Sequence, residues 1–322
     1  MSHELPVHHE HLPDPIDQVP VQMCIIGLVA IKKDGKWCAT HETRGWYMPA
    51  GRIDYGEGID TGAKREAREE GGVDVRLTDL LRIDFTPTKV MARCRAIYNA
   101  ELINPDQPLR GKDQADNEII EAVWVNPNEL KDGRKIRTDE MIEIFEFLNK
   151  NPRLVPASFL SSTDGYPIDH KQVITKTYFS ITAIIFDGIG RKKILTTSSG
   201  GRHDFPSYFM PAPTTFAKAA VGAFPDIQII GFSKLRFLPP DSRVPERKYG
   251  HMNAVVIGVS KPVSKSQKFR RVSKVKLSEW NSILLQEALE RKNVAPESIF
   301  DFEGAALRDL SADMEKIDQW YQ

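Results

Sequence analysis

The chain has 322 residues, 41% of them apolar, which is too much for one ordinary core and suits two domains of roughly 150 residues each. Its 44 basic and 44 acidic side chains cancel, so no global field marks a nucleic-acid or membrane binder and any electrostatic function has to be local. The three cysteines, Cys24, Cys38 and Cys94, are odd in number and far apart, which fits a reducing compartment, cytoplasm by default with the nucleus as alternative. No apolar run approaches the roughly 20 residues of a membrane span, and the first residues lack the apolar core of a signal peptide.

Residues 1–20 hold His3, His8, His9 and His11 and read as a disordered arm, a histidine metal site being the alternative. A first domain is expected over 21–151. MCIIGLVAIKK reads as a buried strand, Asp34-Gly35 as a tight hairpin turn and KWCATHE as the returning strand. GWYMPAG then leads into a loop and a short charged helix. MARCRAIYNAEL and IIEAVWV read as further strands around the polar loop LRGKDQADN. TDEMIEIFEFLNK carries Met141, Ile142, Ile144, Phe145 and Leu148 at helical spacing and stops between Asn149 and Pro152. Strands, helix, strands and closing helix make an α+β layer structure.

A linker is expected over 152–168, and over 169–322 the pattern recurs. KTYFSITAIIF, a turn at Asp187-Gly188 and ILTTSS repeat the opening hairpin. SYFMPAP matches GWYMPAG, and FAKAAVGAFP matches GAKREAREEG. HMNAVVIGV and FRRVSKVKLSEW follow as strands, and amphipathic helices are expected around SEWNSILLQEALERK and EGAALRDLSADMEKIDQWY. Two copies of one fold is the simplest account. In that alignment Ala220, Ala223 and Phe224 stand opposite Glu66, Glu69 and Glu70. If both copies share a fold, the acids of the first are not needed to build it.

Those acids belong to GRIDYGEGIDTGAKREAREEGGV, residues 51–73, which packs six acidic and four basic side chains together. On a helix Glu66, Glu69 and Glu70 fall on one face, where like charges repel unless a cation lies among them. Hard oxygen ligands suit Mg²⁺ or Mn²⁺. Gly51 frees a carbonyl to face the metal, Gly71-Gly72 stop the helix, and Arg65 is placed to pair with a loop carboxylate such as Glu57. The plain alternative is a solvated helix with ordinary ion pairs.

The segment resembles the Nudix box: Gly51, Glu57, Arg65-Glu66, Ala67, Glu69-Glu70, Gly72 and Val73 meet its pattern without a gap. The resemblance implies a Nudix fold, a mixed sheet sandwiched by helices, followed by a degenerate second copy, and hydrolysis of a nucleoside diphosphate linked to another group. It further implies Mg²⁺, with Mn²⁺ possible in its place, held by Glu66, Glu69, Glu70 and the carbonyl of Gly51, and Arg52 beside them as a substrate contact. A downstream carboxylate often takes the proton: Glu118 and Glu121 are the candidates, with Asp116 third.

Over about residues 22–160 the arrangement resembles the animal Nudix enzymes that convert 8-oxo-guanine nucleoside diphosphates to monophosphates. That implies an acidic pair reading the base edge, for which Asp139 and Glu140 are candidates, Asp139 being equally a helix cap. Trp46, Tyr47 and Phe85 are placed either to stack on a purine or to serve as core aromatics. Pro87, close to where ADP-ribose-cleaving members carry a proline, keeps an ADP conjugate open as substrate. A third reading is a catalytically weak binding module. The basic stretch 261–276 holds seven basic and no acidic residues and reads as an RNA or acidic-partner patch or as a solvated loop, with nucleic acid the less favoured. The second domain is expected to shape the substrate cleft or to make a homodimer or protein contact.

Overall fold

β-branched residues spaced for burial on both faces make the first strand, β1 (Val21–Lys33), the centre of its sheet. Asp34 and Gly35, at φ 48° and 78°, turn the chain into β2 (Lys36–Glu42), and β3 (Gly45–Tyr47) and β4 (Ala50–Arg52) follow. After helix α1 (Ile59–Gly71) come β5 (Val75–Pro87), β6 (Ala92–Leu102) and β7 (Ile119–Val125), then α2 (Pro127–Lys131) and α3 (Glu140–Asn149). The computed structural model describes residues 20–87, 92–152, 154–165, 174–187, 193–199, 202–209, 222–224, 227–243, 248–260, 269–271, 277 and 279–290. The histidine-rich arm, Ala220, residues 303–321 and most of the basic stretch 261–276 lie outside them. Two units separate by their contacts: Gln22–Lys176 with Phe237–Gly250, and Thr177–Arg236 with the described residues of 251–290.

In the first unit β1 pairs parallel with β6 and antiparallel with β4, and β6 pairs antiparallel with β5, giving a mixed sheet. A second layer is antiparallel, with β2 between β3 and β7. α3 closes the core formed by Leu28, Ala30, Met48, Ile97, Val125, Met141, Phe145 and their neighbours. The indole of Trp37 stacks on Phe145 at 4.9 Å and 4°. α1 packs so tightly on the sheet that a Cβ at Gly27 would stand 2.9 Å from the Cβ of Ala63. Only glycine allows that approach, and it brings the helix's acidic face down onto β4.

The segment read from the sequence as a linker is packed against this unit. β8 (Val155–Pro156) pairs with β5, Phe159 and Leu160 are buried, and β9 (Leu160–Ser162) leads to Asp164 beside the start of α1.

The second unit contains β10 (Ile174–Phe186), β11 (Lys193–Leu195), β12 (Thr197–Ser199), β13 (Arg202–Asp204), β14 (Ser207–Phe209), β15 (Ile227–Leu238), β16 (Gly250–Ser260), β17 (Phe269–Arg271) and α4 (Glu279–Glu290). Its core holds Ile184, Phe186, Phe205, Val255, Ile257 and Leu284. Its ladders follow those of the first unit. Lys32↔Trp37 is matched by Phe186↔Ile194, Thr40↔Tyr47 by Thr197↔Asp204, and Leu28↔Ala50 by Thr182↔Ser207. The Val29 N–H donates to the Pro49 carbonyl at 2.9 Å, and the Ala183 N–H to the Pro206 carbonyl at 2.9 Å. This register corrects the sequence match of SYFMPAP to GWYMPAG: Pro206, not Pro211, stands where Pro49 stands. Gly222 and Ala223 are helical and Phe224 lies beyond the helix, so Phe224 does not occupy the helical place that the sequence match gave it opposite Glu70.

Candidate active site

α1 carries small residues, Gly62, Ala63 and Ala67, on the face it buries, together with Glu66. A carboxylate buried on an otherwise apolar face costs several kcal/mol unless it is paired or neutralised. Glu66 is only 7% exposed and lies directly over β4, where a Cβ added to Gly51 would fall inside its carboxylate group. One turn on, Glu70 accepts a hydrogen bond from the Ala50 N–H at 2.8 Å. Glu69 is exposed at the open edge.

Arg65 gathers the rest. It donates through Nε to Glu57 at 3.1 Å, and through Nη2 to Glu57 at 3.0 Å and the Arg52 carbonyl at 2.8 Å. Its Nη1 reaches Glu66 at 2.7 Å and Glu69 at 2.9 Å. The guanidinium thus ties the loop carboxylate to two helix carboxylates, while the Arg52 side chain is exposed. No three histidine, cysteine or acidic side chains among the described residues stand in ready-made ligand geometry. The reason is visible: Arg65 draws Glu66 and Glu69 to itself, and Glu70 is turned to the Ala50 amide.

Burial pushes the Glu66 carboxyl up to about 7 despite Arg65 beside it, with Glu69 and Glu57 adding to the rise. Burial pushes Glu70 up to about 8 against the Ala50 hydrogen bond, with Glu66 and Glu42 adding to it. Two carboxylates a turn apart on the sheet-facing side of the helix, one of them seated directly over Gly51, fit a hard divalent cation.

The downstream acids divide. Asp116 accepts from the backbone N–H groups of Glu118 and Ile119 at 2.8 and 2.7 Å and from Arg110 at 2.7 Å, bonds that hold its carboxyl down at about 2. Arg110 also donates to the Glu69 carbonyl at 2.6 Å, so Asp116 fixes the loop to the end of α1. Glu118 is exposed, and Glu121, half-buried on β7, has Lys112 at 3.6 Å.

Beside β4 opens a pocket of about 370 Å³ lined by Ile26, Leu28, Tyr47, Ala50, Arg93, Arg95, Arg137, Thr138 and Glu140. Glu140 is buried and held by Arg95 at 2.7 and 2.8 Å, by Arg82, and by the Tyr47 hydroxyl at 3.4 Å. Arg137 lies over the Tyr47 ring at 4.9 Å and donates to Glu42 at 3.1 Å. Trp46 is packed away, stacked on His41 at 4.5 Å with Arg134 at 4.5 Å from its ring. Asp139 is exposed and its side chain caps nothing. Phe85 pairs with Cys94 on the β5–β6 ladder, and its side chain is outside the described residues. Sequence reasoning missed the pocket arginines. Arg93 and Arg95 stand two apart on a central strand between apolar residues, which places both on one face, and that was the available signal.

Residues 25–145 match the family model described as NUDIX domain. Nudix hydrolase 8 of Arabidopsis thaliana is 31% identical over 139 residues, 41% of this chain and 37% of its own length. A nudix hydrolase of Caenorhabditis elegans is 31% identical over 86 residues, 27% of this chain and 22% of its own. The chain therefore spans well under half the length of these relatives. Among solved structures, a NUDIX hydrolase from Nitrosomonas europaea superposes with a TM-score of 0.36 at 23% identity, covering 44% of this chain and 98% of that one. The segment 25–145 is thus similar to NUDIX domains, and both relatives that resemble it carry the name nudix hydrolase.

Proposed function

We propose that this protein hydrolyses a phosphoanhydride bond of 8-oxo-GDP or 8-oxo-dGDP, giving the monophosphate and phosphate. The observation that carries the reading is the buried Glu66 carboxylate seated over Gly51, with the half-buried Glu70 one turn on and held by the Ala50 N–H. Glu66, Glu70 and the Gly51 carbonyl hold the cation, with Glu69 at the open edge. The cation, when bound, neutralises phosphate charge and assists attack of water at phosphorus. Arg65, anchored by Glu57, keeps the helix acids aligned. Glu118 or Glu121 takes the proton.

The pocket supports a guanine-derived base. Glu140 is neutralised by its guanidinium partners, so Arg93, Arg95 and Arg137 give the wall a donor character that matches the carbonyl oxygens of an oxidised guanine. Tyr47 supplies an aromatic surface. ADP-ribose is the second reading, favoured by Pro87 and by the same arginines, which also suit a sugar-linked phosphate.

We further propose that the second unit is a degenerate copy of the Nudix fold. The shared ladder registers support it. A role in shaping the cleft or in self-association would show in sedimentation and turnover of full-length chains carrying surface charges on that unit.

A panel of oxidised and normal nucleoside diphosphates and ADP-ribose, with and without Mg²⁺, tests the activity. Turnover of the oxidised diphosphates upholds the first reading, turnover of ADP-ribose alone replaces it with the second, and none with any compound leaves a binding module. Glu69→Gln is expected to lower turnover by orders of magnitude in a folded protein.

A further inference from the structure

The N-terminus of α1 has no cap of its own: Gly58 occupies that position and has no side chain to offer. The first N–H groups of a helix need acceptors, and here they come from more than a hundred residues downstream. Asp164 accepts from the Gly58 N–H at 2.8 Å, and its other oxygen from the Thr61 hydroxyl at 3.3 Å. Ser162 accepts from the Ile59 N–H at 3.0 Å and donates to Asp60 at 2.7 Å. The Gly165 N–H closes the contact on the Gly56 carbonyl at 2.7 Å. The segment is itself anchored by the pairing of Val155 with Leu80 and by the buried Phe159 and Leu160.

These bonds bracket Glu57, whose carboxylate holds Arg65, which in turn holds Glu66 and Glu69. We propose that Ser162 and Asp164, outside the stretch 25–145 matched by the family, are positioning residues for the metal-binding acids: they fix the start of α1 and the Glu57 loop so that Arg65 presents the carboxylates in register. The inference rests on the metal-site reading above. It assigns to residues 162–165 a part in the site that the rest of the Nudix fold does not supply.

The test uses the full chain with Ser162→Ala, Asp164→Ala, the double variant, and the conservative Asp164→Asn, which keeps an acceptor for the Gly58 N–H. Amide hydrogen exchange at Gly58, Ile59 and Asp60, whose N–H groups point to Asp164 and Ser162, is read alongside Mn²⁺ binding followed by electron paramagnetic resonance. The double variant is expected to lose protection at those three amides while β1 and β6 keep theirs. Its Mn²⁺ affinity and Mg²⁺-activated kcat are expected to fall about 10-fold or more, the scale for losing an outer partner of metal ligands. Asp164→Asn is expected to recover most of both. Deprotected amides with unchanged Mn²⁺ affinity and kcat would overturn the proposal and leave an ordinary helix cap. Amides unchanged in the double variant would overturn it as well. A wild-type chain that binds no Mn²⁺ would fail the metal-site reading itself, and the proposal with it, a result distinct from either of the others.

Discussion

The two units build the same ladders and put different side chains on them. Where β1 has Gly27, β10 has Ile181, and where β4 has Gly51, β14 has Tyr208. The first pair of glycines lets α1 descend until Ala63 touches the sheet and Glu66 covers β4. An isoleucine and a tyrosine at those places bar any helix from coming as close. The pocket positions change in step: Ile26, Leu28 and Ala50 become Ser180, Thr182 and Ser207. On the neighbouring strand β16, His251 and Asn253 lie against Ser180 at 2.7 and 2.8 Å. In the second unit these polar groups satisfy one another, Asn253 also reaching Thr182 at 3.1 Å and Thr182 reaching Ser207 at 3.1 Å. The contrast shows that a buried carboxylate needs backbone clearance beneath it as well as a helix to carry it, so glycines on the sheet are as diagnostic as glutamates on the helix.

Transplanting the second unit's residue into the first breaks this difference most directly. Gly51→Tyr is expected to displace the Glu66 carboxylate and lower Mg²⁺-dependent kcat by about 100-fold or more, the scale of a 1 Å misplacement, with the circular dichroism of a folded protein. Gly27→Ile drives a side chain into Ala63 and is expected to destabilise by about 1–3 kcal/mol in chemical denaturation, as overpacking does. A further contrast lies in pH. Glu66 and Glu70 have folded values raised to about 7 and about 8 from 4.5, so the folded state binds protons more readily than the unfolded. Without metal their contribution is full below about pH 4.5 and is lost as pH rises through 7 and 8, at up to about 1.4 kcal/mol per pH unit while one of them titrates. Added Mg²⁺ should flatten that decline, and Glu70→Gln should reduce it, as thermal melts between pH 5 and 8.5 would show. The smallest effect is expected at Asp116, whose carboxyl is held low: its support exists above the ordinary value of 3.8 and is lost as pH falls toward 2. Asp116→Asn should remove that acid sensitivity and shift the neutral melting temperature little.

Much of the first unit was legible in the sequence because its signals are local. The apolar periodicity of 140–149, the hairpin at Asp34-Gly35 and the spacing of Glu66, Glu69 and Glu70 each reside within a dozen residues. What was not legible depends on distance. The bonds from Ser162 and Asp164 to the start of α1 join groups more than a hundred residues apart and leave no periodic trace, so the segment reads as a tether. Trp46 reads equally as a purine platform or a core residue, and only its packing on His41 decides. The sequence match of the two halves is set by the shared MPA, whereas the parallel hydrogen bonds of Val29 to Pro49 and Ala183 to Pro206 set a register several residues away. Glu140 reads as part of an acidic pair for a base edge, since nothing in the linear order brings Arg82 and Arg95 to it.

The thiol of Cys38 is enclosed beneath the helix, and burial together with the neighbouring Glu70 pushes it up to about 12. Cys24 is also raised by burial, and Cys94 has no exposed surface. Attack by peroxide requires a thiolate that water can reach, and the burial of the three sulfurs withholds that access. The folded chain is therefore expected to leave all three sulfurs unlabelled by a water-soluble thiol reagent, with labelling appearing only where the sheet beneath the carboxylates opens.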